Sequence, residues 1–528
     1  MMFPKDFKLV SRERARELDK IAEEQFSIPT SLLMENAGRK VAEHTIKILV
    51  EGGYKNVVVV AGAGNNGGDG FCAAKHIKNS GFQPKIILID SEEKIKGDAL
   101  LNFNIIRKMK IEIISYKGGK NSFLQILPES GILIDAIFGT GLSRDIQDDK
   151  LISIIEEINR WKRSGKGRFV ISVDIPSGLD SNTGIPRPVA VEADVTVTFA
   201  PAKVGLFVGS AQKFTGKIEI EDIGIPLELW QNSEFSLVKL DFIRALLKDR
   251  QDLSHKGNYG HLLCICGGLG RAGAAVLVGK SAVHSGTGLV TLMVPDVVYA
   301  PVASSAREYM VFPAPSKGRT FSEKSAELLD ELIEGKSAVV IGPGIWDDDG
   351  SKKLLYHLIE KLKERNIPCV LDADALNIVS HDGLGVLKGL KGVITPHPGE
   401  AGRLLGKSTT DIQKDRIGSA KELSESSGMV AVLKGFRTII TDGKTFYINT
   451  TGGGELATGG TGDVLSGIIG GLLAQGYSPY ESAIIGVFVH GLGGEIISRE
   501  LNYKLATADR LAENIERALG VIKGTNVV

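Results

Sequence analysis

Three segments in the first half of the chain set a carboxylate against glycine-rich backbone. The longest is Val57-Val58-Val59-Val60-Ala61-Gly62-Ala63-Gly64-Asn65-Asn66-Gly67-Gly68-Asp69-Gly70. An apolar run feeds a glycine loop, and a helix is expected from about Phe71. That order gathers backbone N–H groups and a helix N-terminus at one point, where phosphate is favoured. Gly62 and Gly64 supply G-x-G, but Asn65-Asn66 intervene before Gly67, so this is not the usual dinucleotide fingerprint. A bare G-x-G-x-x-G is weak evidence, but the inserted Asn65-Asn66 and the closing Asp69 make this version much more specific; a tight turn without a ligand is the alternative. Asp135-Ala136-Ile137-Phe138-Gly139-Thr140-Gly141-Leu142 and Val173-Asp174-Ile175-Pro176-Ser177-Gly178 follow the same plan. Each ends an apolar run with an aspartate, at the strand end where open α/β sheets bind ligands. Either aspartate could instead cap a helix. Asp174 is the first choice for proton transfer, with a structural acceptor for loop amides as its other reading.

The second half carries Thr451-Gly452-Gly453-Gly454-Glu455-Leu456-Ala457-Thr458-Gly459-Gly460-Thr461-Gly462-Asp463, running into a helix expected over Asp463–Ala474. Glycines let backbone wrap an oxyanion, and the helix N-terminus adds positive potential. A carboxylate at that first turn can take a hydroxyl proton while amides neutralise a moving phosphoryl group. The plain alternative is a helix cap. No G-x-x-x-x-G-K-[ST] run is present, which excludes a P-loop enzyme. His397 stands between prolines at a strand end, near Glu400. Asp372 and Asp374 read equally as metal ligands or as a helix N-terminus after a strand.

These residues need a scaffold, and the patterning supplies one. Short apolar runs alternate with helical stretches in both halves, which argues for two parallel-sheet α/β domains. Ser11 is an N-cap candidate for a helix over 12–25, and Thr30 starts a second helix. The rhythm lapses near Ile225-Pro226 and Gln231-Asn232-Ser233-Glu234, so the domains are expected at 1–228 and 229–528. Lysine plus arginine equal aspartate plus glutamate at 63 each, leaving no global field to draw in nucleic acid or an anionic membrane. Glycine, at 64 residues, clusters after apolar runs rather than forming a low-complexity tract. The start shows no apolar signal core, and no run approaches the ~18 apolar residues of a membrane span. A cytoplasmic protein without nucleic-acid or membrane partners is expected. Cys72, Cys264, Cys266 and Cys369 are too scattered for a disulfide framework. Cys264 and Cys266 read as one face of a buried strand rather than a metal pair.

The first three segments together resemble the NAD(P)H-hydrate epimerases, over roughly residues 10–225, which implies a Rossmann-like three-layer sandwich. The resemblance implies that Asn65, Asn66, Gly67, Gly68, Asp69, Gly139, Thr140, Gly141, Leu142, Ser143, Arg144, Asp145 and Asp174 meet the substrate. It also implies a potassium ion on Asn66, Asp135 and Ser177, and all-oxygen ligands suit such a hard cation. The Gly-Thr-Gly-Asp segment resembles the ribokinase-like fold. His255-Lys256-Gly257-Asn258-Tyr259-Gly260, Gly342-Pro343-Gly344, Asp372-Ala373-Asp374, Thr395-Pro396-His397-Pro398-Gly399-Glu400 and Lys434-Gly435-Phe436-Arg437-Thr438 narrow it to the ADP- or ATP-dependent NAD(P)H-hydrate dehydratases, over roughly 240–525. That implies a hydrate site at Ala274 or Ala275, Gly344, His397 and Asp463. It places nucleotide contacts at Lys434, Gly435, Phe436, Arg437, Thr438 and Gly462. The pair resembles bifunctional repair enzymes for hydrated NADH and NADPH (NADHX and NADPHX). Magnesium with the nucleotide is expected, as is a homo-oligomer. ADP is expected as co-substrate, because the epimerase-first order looks like the prokaryotic form.

Overall fold

The computed structural model describes residues 7–116, 118, 123–142 and 144–524. They form two compact units, one spanning Lys8–Glu234 and the other beginning at Phe235. Both are α/β with largely parallel sheets.

The first unit holds a seven-stranded parallel sheet. Its order is Glu112–Ser115, Pro84–Leu88, Val57–Ala61, Gly131–Ala136, Arg168–Val173, Val195–Phe199, Lys217–Glu221. Strands two to four are buried along their apolar runs, as expected of a sheet covered on both faces. From Val57–Ala61 the chain winds outward to one edge, and from Gly131–Ala136 to the other. The crevice between those two strands is therefore the topological switch point, where ligands of such sheets bind. Both the Asn65–Asp69 segment and the Asp135–Leu142 segment leave the sheet there.

The helix after Val57–Ala61 begins at Asn65, not near Phe71 as the glycines suggested. The glycines are its first turns, chosen for close packing. A Cβ on Gly67 would lie 2.0 Å from the Gly62 carbonyl oxygen. One on Gly68 would meet Met34 at 2.7 Å, and one on Gly70 would meet Ala136 at 2.6 Å. Tertiary fit outweighs the low helix propensity of glycine, about 1 kcal/mol per residue against alanine. Ser11 caps Arg12–Phe26 by accepting from the Arg14 N–H, and Thr30–Gly52 follows.

The main sheet of the second unit runs in the order Met310–Ala314, Leu289–Pro295, His261–Ile265, Ala338–Ile341, Cys369–Leu371, Gly392–Ile394, Val430–Leu433, Ile439–Thr441, Phe446–Ile448, Phe235–Leu237. The first seven are parallel, so their C-terminal ends converge on one side. The helix Thr461–Ala474 is buried along nearly its whole length. Its glycines admit neighbours closely: a Cβ on Gly467 would lie 2.1 Å from Ser281 Oγ, and one on Gly471 2.1 Å from Ser285 Oγ. All four cysteines are free and buried, with Cys264 and Cys266 in one core. No helix among the described residues is long and apolar enough to cross a membrane.

Candidate functional site

In the first unit a cavity of about 520 Å³ opens at the switch point. Asn65, Asn66, Asp69, Gly139, Thr140, Gly141 and Asp174 line it, as does Lys203. Lys203 Nζ lies 2.6 Å from Asp174 Oδ1, and Thr198 Oγ1 donates to the same oxygen at 3.2 Å. Asp174 is held at φ 64°, a left-handed conformation rare for a non-glycine residue. Strain of this kind collects where a side chain must be aimed. Asp19, from the first helix, also faces the cavity. Burial raises its carboxyl, with Lys203 opposing. Burial, then the charge of Asp174, pushes Asp69 well above the ordinary carboxylate range. Asp19, Asp69 and Asp174 thus share the Lys203 ammonium, and Asp90 and Asp98 also line the cavity.

Arg16 donates to the Thr140 carbonyl at 2.8 Å and Arg12 to that of Leu142 at 3.0 Å, so the first helix pins the 139–142 loop. Gly67 and Gly68 sit behind the cavity wall in helix packing. Leu142 packs against a hydrophobic cluster. Arg144 and Asp145 are exposed, with Asp145 3.4 Å from Arg187. Ser143 lies outside the described residues. Asp19, Lys203, Arg12 and Arg16 escaped the sequence reading. They are single polar residues far along the chain from the glycine segments they serve.

Asp135 is fully buried. It accepts from Ser172 Oγ at 2.8 Å, from the Ser177 N–H at 2.8 Å and from Ser177 Oγ. Ser177 Oγ in turn lies 3.2 Å from the Phe138 carbonyl oxygen. Burial raises the Asp135 carboxyl, and these hydrogen bonds oppose the rise. Asn66 is buried beside Gly139, and its Nδ2 has no hydrogen-bond partner among the described residues. A buried carboxylate amid hydroxyl, amide and carbonyl oxygens fits a hard monovalent cation.

In the second unit the C-terminal strand ends deliver the other set. Asp463 lies in the first turn of Thr461–Ala474, after Gly460 at φ 90°. Burial first, then Asp372, raises its carboxyl to about 7, with Lys434 opposing. Lys434 Nζ is 2.7 Å from Asp372 Oδ1 and 3.8 Å from Glu400. Burial opposes its charge, yet Asp372 and Glu400 hold the ammonium above its ordinary value. Asp372 also accepts from Ser466 Oγ at 2.8 Å. A Cβ on Gly462 would lie 3.5 Å from Lys434 Nζ, so the absent side chain leaves backbone open beside that charge.

Asp374 begins a helix and takes Arg271 at 2.6 Å and the Trp346 N–H at 2.9 Å. Two guanidinium groups stack on the Trp346 ring, Arg271 at 3.5 Å and Arg319 at 3.9 Å from its centroid. Gly344 stands beside Ala274, where a Cβ would meet that residue's at 3.2 Å, and Ala275 is fully buried. His397 caps the helix Pro398–Leu405, its Nδ1 accepting from Gly399 N–H, while Glu400 returns a bond to the His397 N–H. Burial, then Lys434, lowers the imidazole. Gly435 lies against Arg416, Phe436 is exposed, and Arg437, at φ 54°, donates to the Thr450 carbonyl. Thr438 Oγ1 turns back to the Gly435 carbonyl. Arg271, Arg319 and Trp346 escaped the sequence reading, because a stacked pair of arginines leaves no fixed spacing.

Known proteins repeat this two-part arrangement. Residues 262–517 match the NAD(P)H-hydrate dehydratase family, and residues 30–205 match the YjeF-related protein N-terminus. The bifunctional NAD(P)H-hydrate repair enzyme Nnr of Moorella thermoacetica is 37% identical over 520 residues, covering 96% of this chain and 95% of that protein. The Escherichia coli enzyme of the same name is 34% identical, covering 87% and 84%. A solved ADP/ATP-dependent NAD(P)H-hydrate dehydratase from Bacillus subtilis, co-crystallised with ATP/Mg2+, is 28% identical with a TM-score of 0.46, covering 54% of this chain and 97% of that one. Two matching halves in one order, with a relative 37% identical along nearly the whole chain, make the chain a member of the bifunctional NAD(P)H-hydrate repair enzyme family.

Proposed function

We propose that the chain repairs hydrated NADH and NADPH in two steps. The first unit interconverts the R and S epimers at the hydroxyl-bearing ring carbon. The second dehydrates the S form at the expense of ADP, giving AMP and phosphate. In the first unit Asp174, oriented by Lys203 and Thr198, exchanges the proton, while Asn65, Asp69 and the 139–142 loop hold the dinucleotide. Asn66, Asp135 and Ser177 would hold a potassium ion, which would balance the buried Asp135 charge and fix the two loops.

In the second unit the substrate hydroxyl attacks the terminal phosphorus of ADP. Its proton goes to Asp463, the bridging P–O bond breaks and AMP leaves. The new phosphate ester then departs as inorganic phosphate while the neighbouring ring carbon loses a proton, which restores the double bond. Ala274, Gly344 and His397 face the hydrate, with Ala275 buried behind Ala274, and Lys434 to Thr438 with Gly462 face the nucleotide. Asp372 and Asp374 are each committed to a basic side chain, so magnesium would be held chiefly by nucleotide phosphates and water.

One observation carries this reading. Asp463 sits behind glycine-rich backbone at a helix N-terminus, with a carboxyl that titrates near neutrality, as a general base should. The test is recovery of reduced-cofactor absorbance from a mixed-epimer hydrate with ADP, with ATP and with neither. Full recovery with ADP is expected. Recovery of only the S fraction would remove the epimerase. Faster recovery with ATP would remove the ADP preference alone, and a stable phosphorylated product would make the second unit a simple kinase.

A further inference from the structure

We propose that Glu35, Cys72 and His76 form a binding site for a borderline-soft divalent cation of the zinc class, on the wall behind the first unit's cavity. None of the three belongs to either site described above. Cys72 and His76 are four residues apart on the helix Asn65–Asn79, so they share one face. Glu35 comes from Thr30–Gly52, which packs against it. His76 Nε2 is 2.8 Å from Glu35 Oε1, and Cys72 Sγ is 3.3 Å from Glu35 Oε2. One ligand atom from each lies within 4.8 Å of the others. A tetrahedral zinc with bonds of about 2.0–2.3 Å has ligand–ligand edges of about 3.3–3.8 Å, so the trio reaches that geometry with side-chain shifts of up to about 1 Å.

The donor set is one sulfur, one imidazole nitrogen and one carboxylate oxygen. That mixture disfavours potassium and magnesium and suits zinc, with water in the fourth position. The spot already holds a positive charge, because the Lys75 ammonium bonds Glu35. An entering ion would displace Lys75 towards Asn102, 3.4 Å from its ammonium, and the Cys72 thiol proton would pass to solvent. Glu35 and His76 are partly exposed, at 41% and 26%, which gives the ion a way in. Bound there, it would clamp together the two helices that carry Met34, Asn65, Asn66 and Asp69 to the cavity.

The test is Co2+ titration of the full chain, followed by the thiolate-to-cobalt charge-transfer band and by competition with Zn2+. One saturable equivalent is expected, with the band absent in Cys72→Ala. His76→Asn, at a part-exposed position, should weaken binding by at least about tenfold while the chain's urea midpoint without metal stays near that of wild type, tenfold being the usual scale for disturbing a metal's ligand shell. Lys75→Met removes the competing ammonium and should bind at least as tightly. A band that persists in Cys72→Ala would be adventitious binding and would overturn the site. Absence of saturable uptake, unchanged affinity in His76→Asn, or lost affinity in Lys75→Met would do the same.

Discussion

Asp463→Asn should cost the second unit its activity and make that unit more stable. Unfolded, the carboxyl titrates near its ordinary 3.8, while in the fold it titrates near 7. The folded state therefore binds more protons than the unfolded state between those values, and stability falls as pH rises through that window. Above pH 7 the charged form carries a cost of about 4 kcal/mol, at about 1.4 kcal/mol per pH unit. Asparagine escapes that cost but buries an amide that wants partners of its own, at about 1–3 kcal/mol. A net gain of about 1–3 kcal/mol at pH 8, shrinking towards pH 5, is the expected balance. Urea denaturation at both pH values, with and without ADP, isolates the second unit as the transition that ADP moves. The same variant should lose about 10²–10⁴-fold in dehydration while epimerisation persists. The wild-type dehydration rate should fall about tenfold per pH unit below 7. Unchanged stability at both pH values, with dehydration within a few-fold of wild type, would reduce Asp463 to a helix cap and refute the reasoning.

The other expectations concern the first unit. Asp174→Ala should slow conversion of the R epimer and leave the S epimer fully repairable; loss of both activities would point to a folding defect. Exchanging K+ for tetramethylammonium should depress epimerisation but not dehydration, and Asp135→Asn should abolish that difference in the epimerase assay. Gly67→Ala forces a Cβ against the Gly62 carbonyl. It should lower the first unit's stability by about 1–3 kcal/mol in denaturant titration, the usual cost of overpacking.

Both sites were legible where chemistry constrains backbone. A glycine at a close approach cannot be replaced, so the segments around Asn65, Gly139 and Gly462 stand out in the sequence. The carboxylates that end strands, Asp135, Asp174 and Asp372, stand out for the same reason, since the apolar run before each marks the strand. What glycine did not reveal was its geometry. The segment after Gly64 read as a loop because glycine disfavours helix, yet Gly67, Gly68 and Gly70 lie in a helix pressed against Gly62, Met34 and Ala136.

The charges that tune these carboxylates were not legible, and the reason is physical. A lysine that completes a buried pair needs only to reach its partner, and it can come from any strand end. Lys203 meets Asp174 from 29 residues away, and Lys434 meets Asp372 from 62 away. Lys434 was caught because it belongs to a glycine segment, whereas Lys203 follows Ala200-Pro201-Ala202 with no such marker. The two units arrive at one device by different routes. Each sets an aspartate beside exposed backbone amides and brings a single ammonium to the carboxylates around it. In the first unit the ammonium bonds the proposed catalytic aspartate directly. In the second it bonds Asp372 and leaves Asp463 without an ion pair among the described residues, so burial raises that carboxyl to about 7, where it can take a proton and release it again.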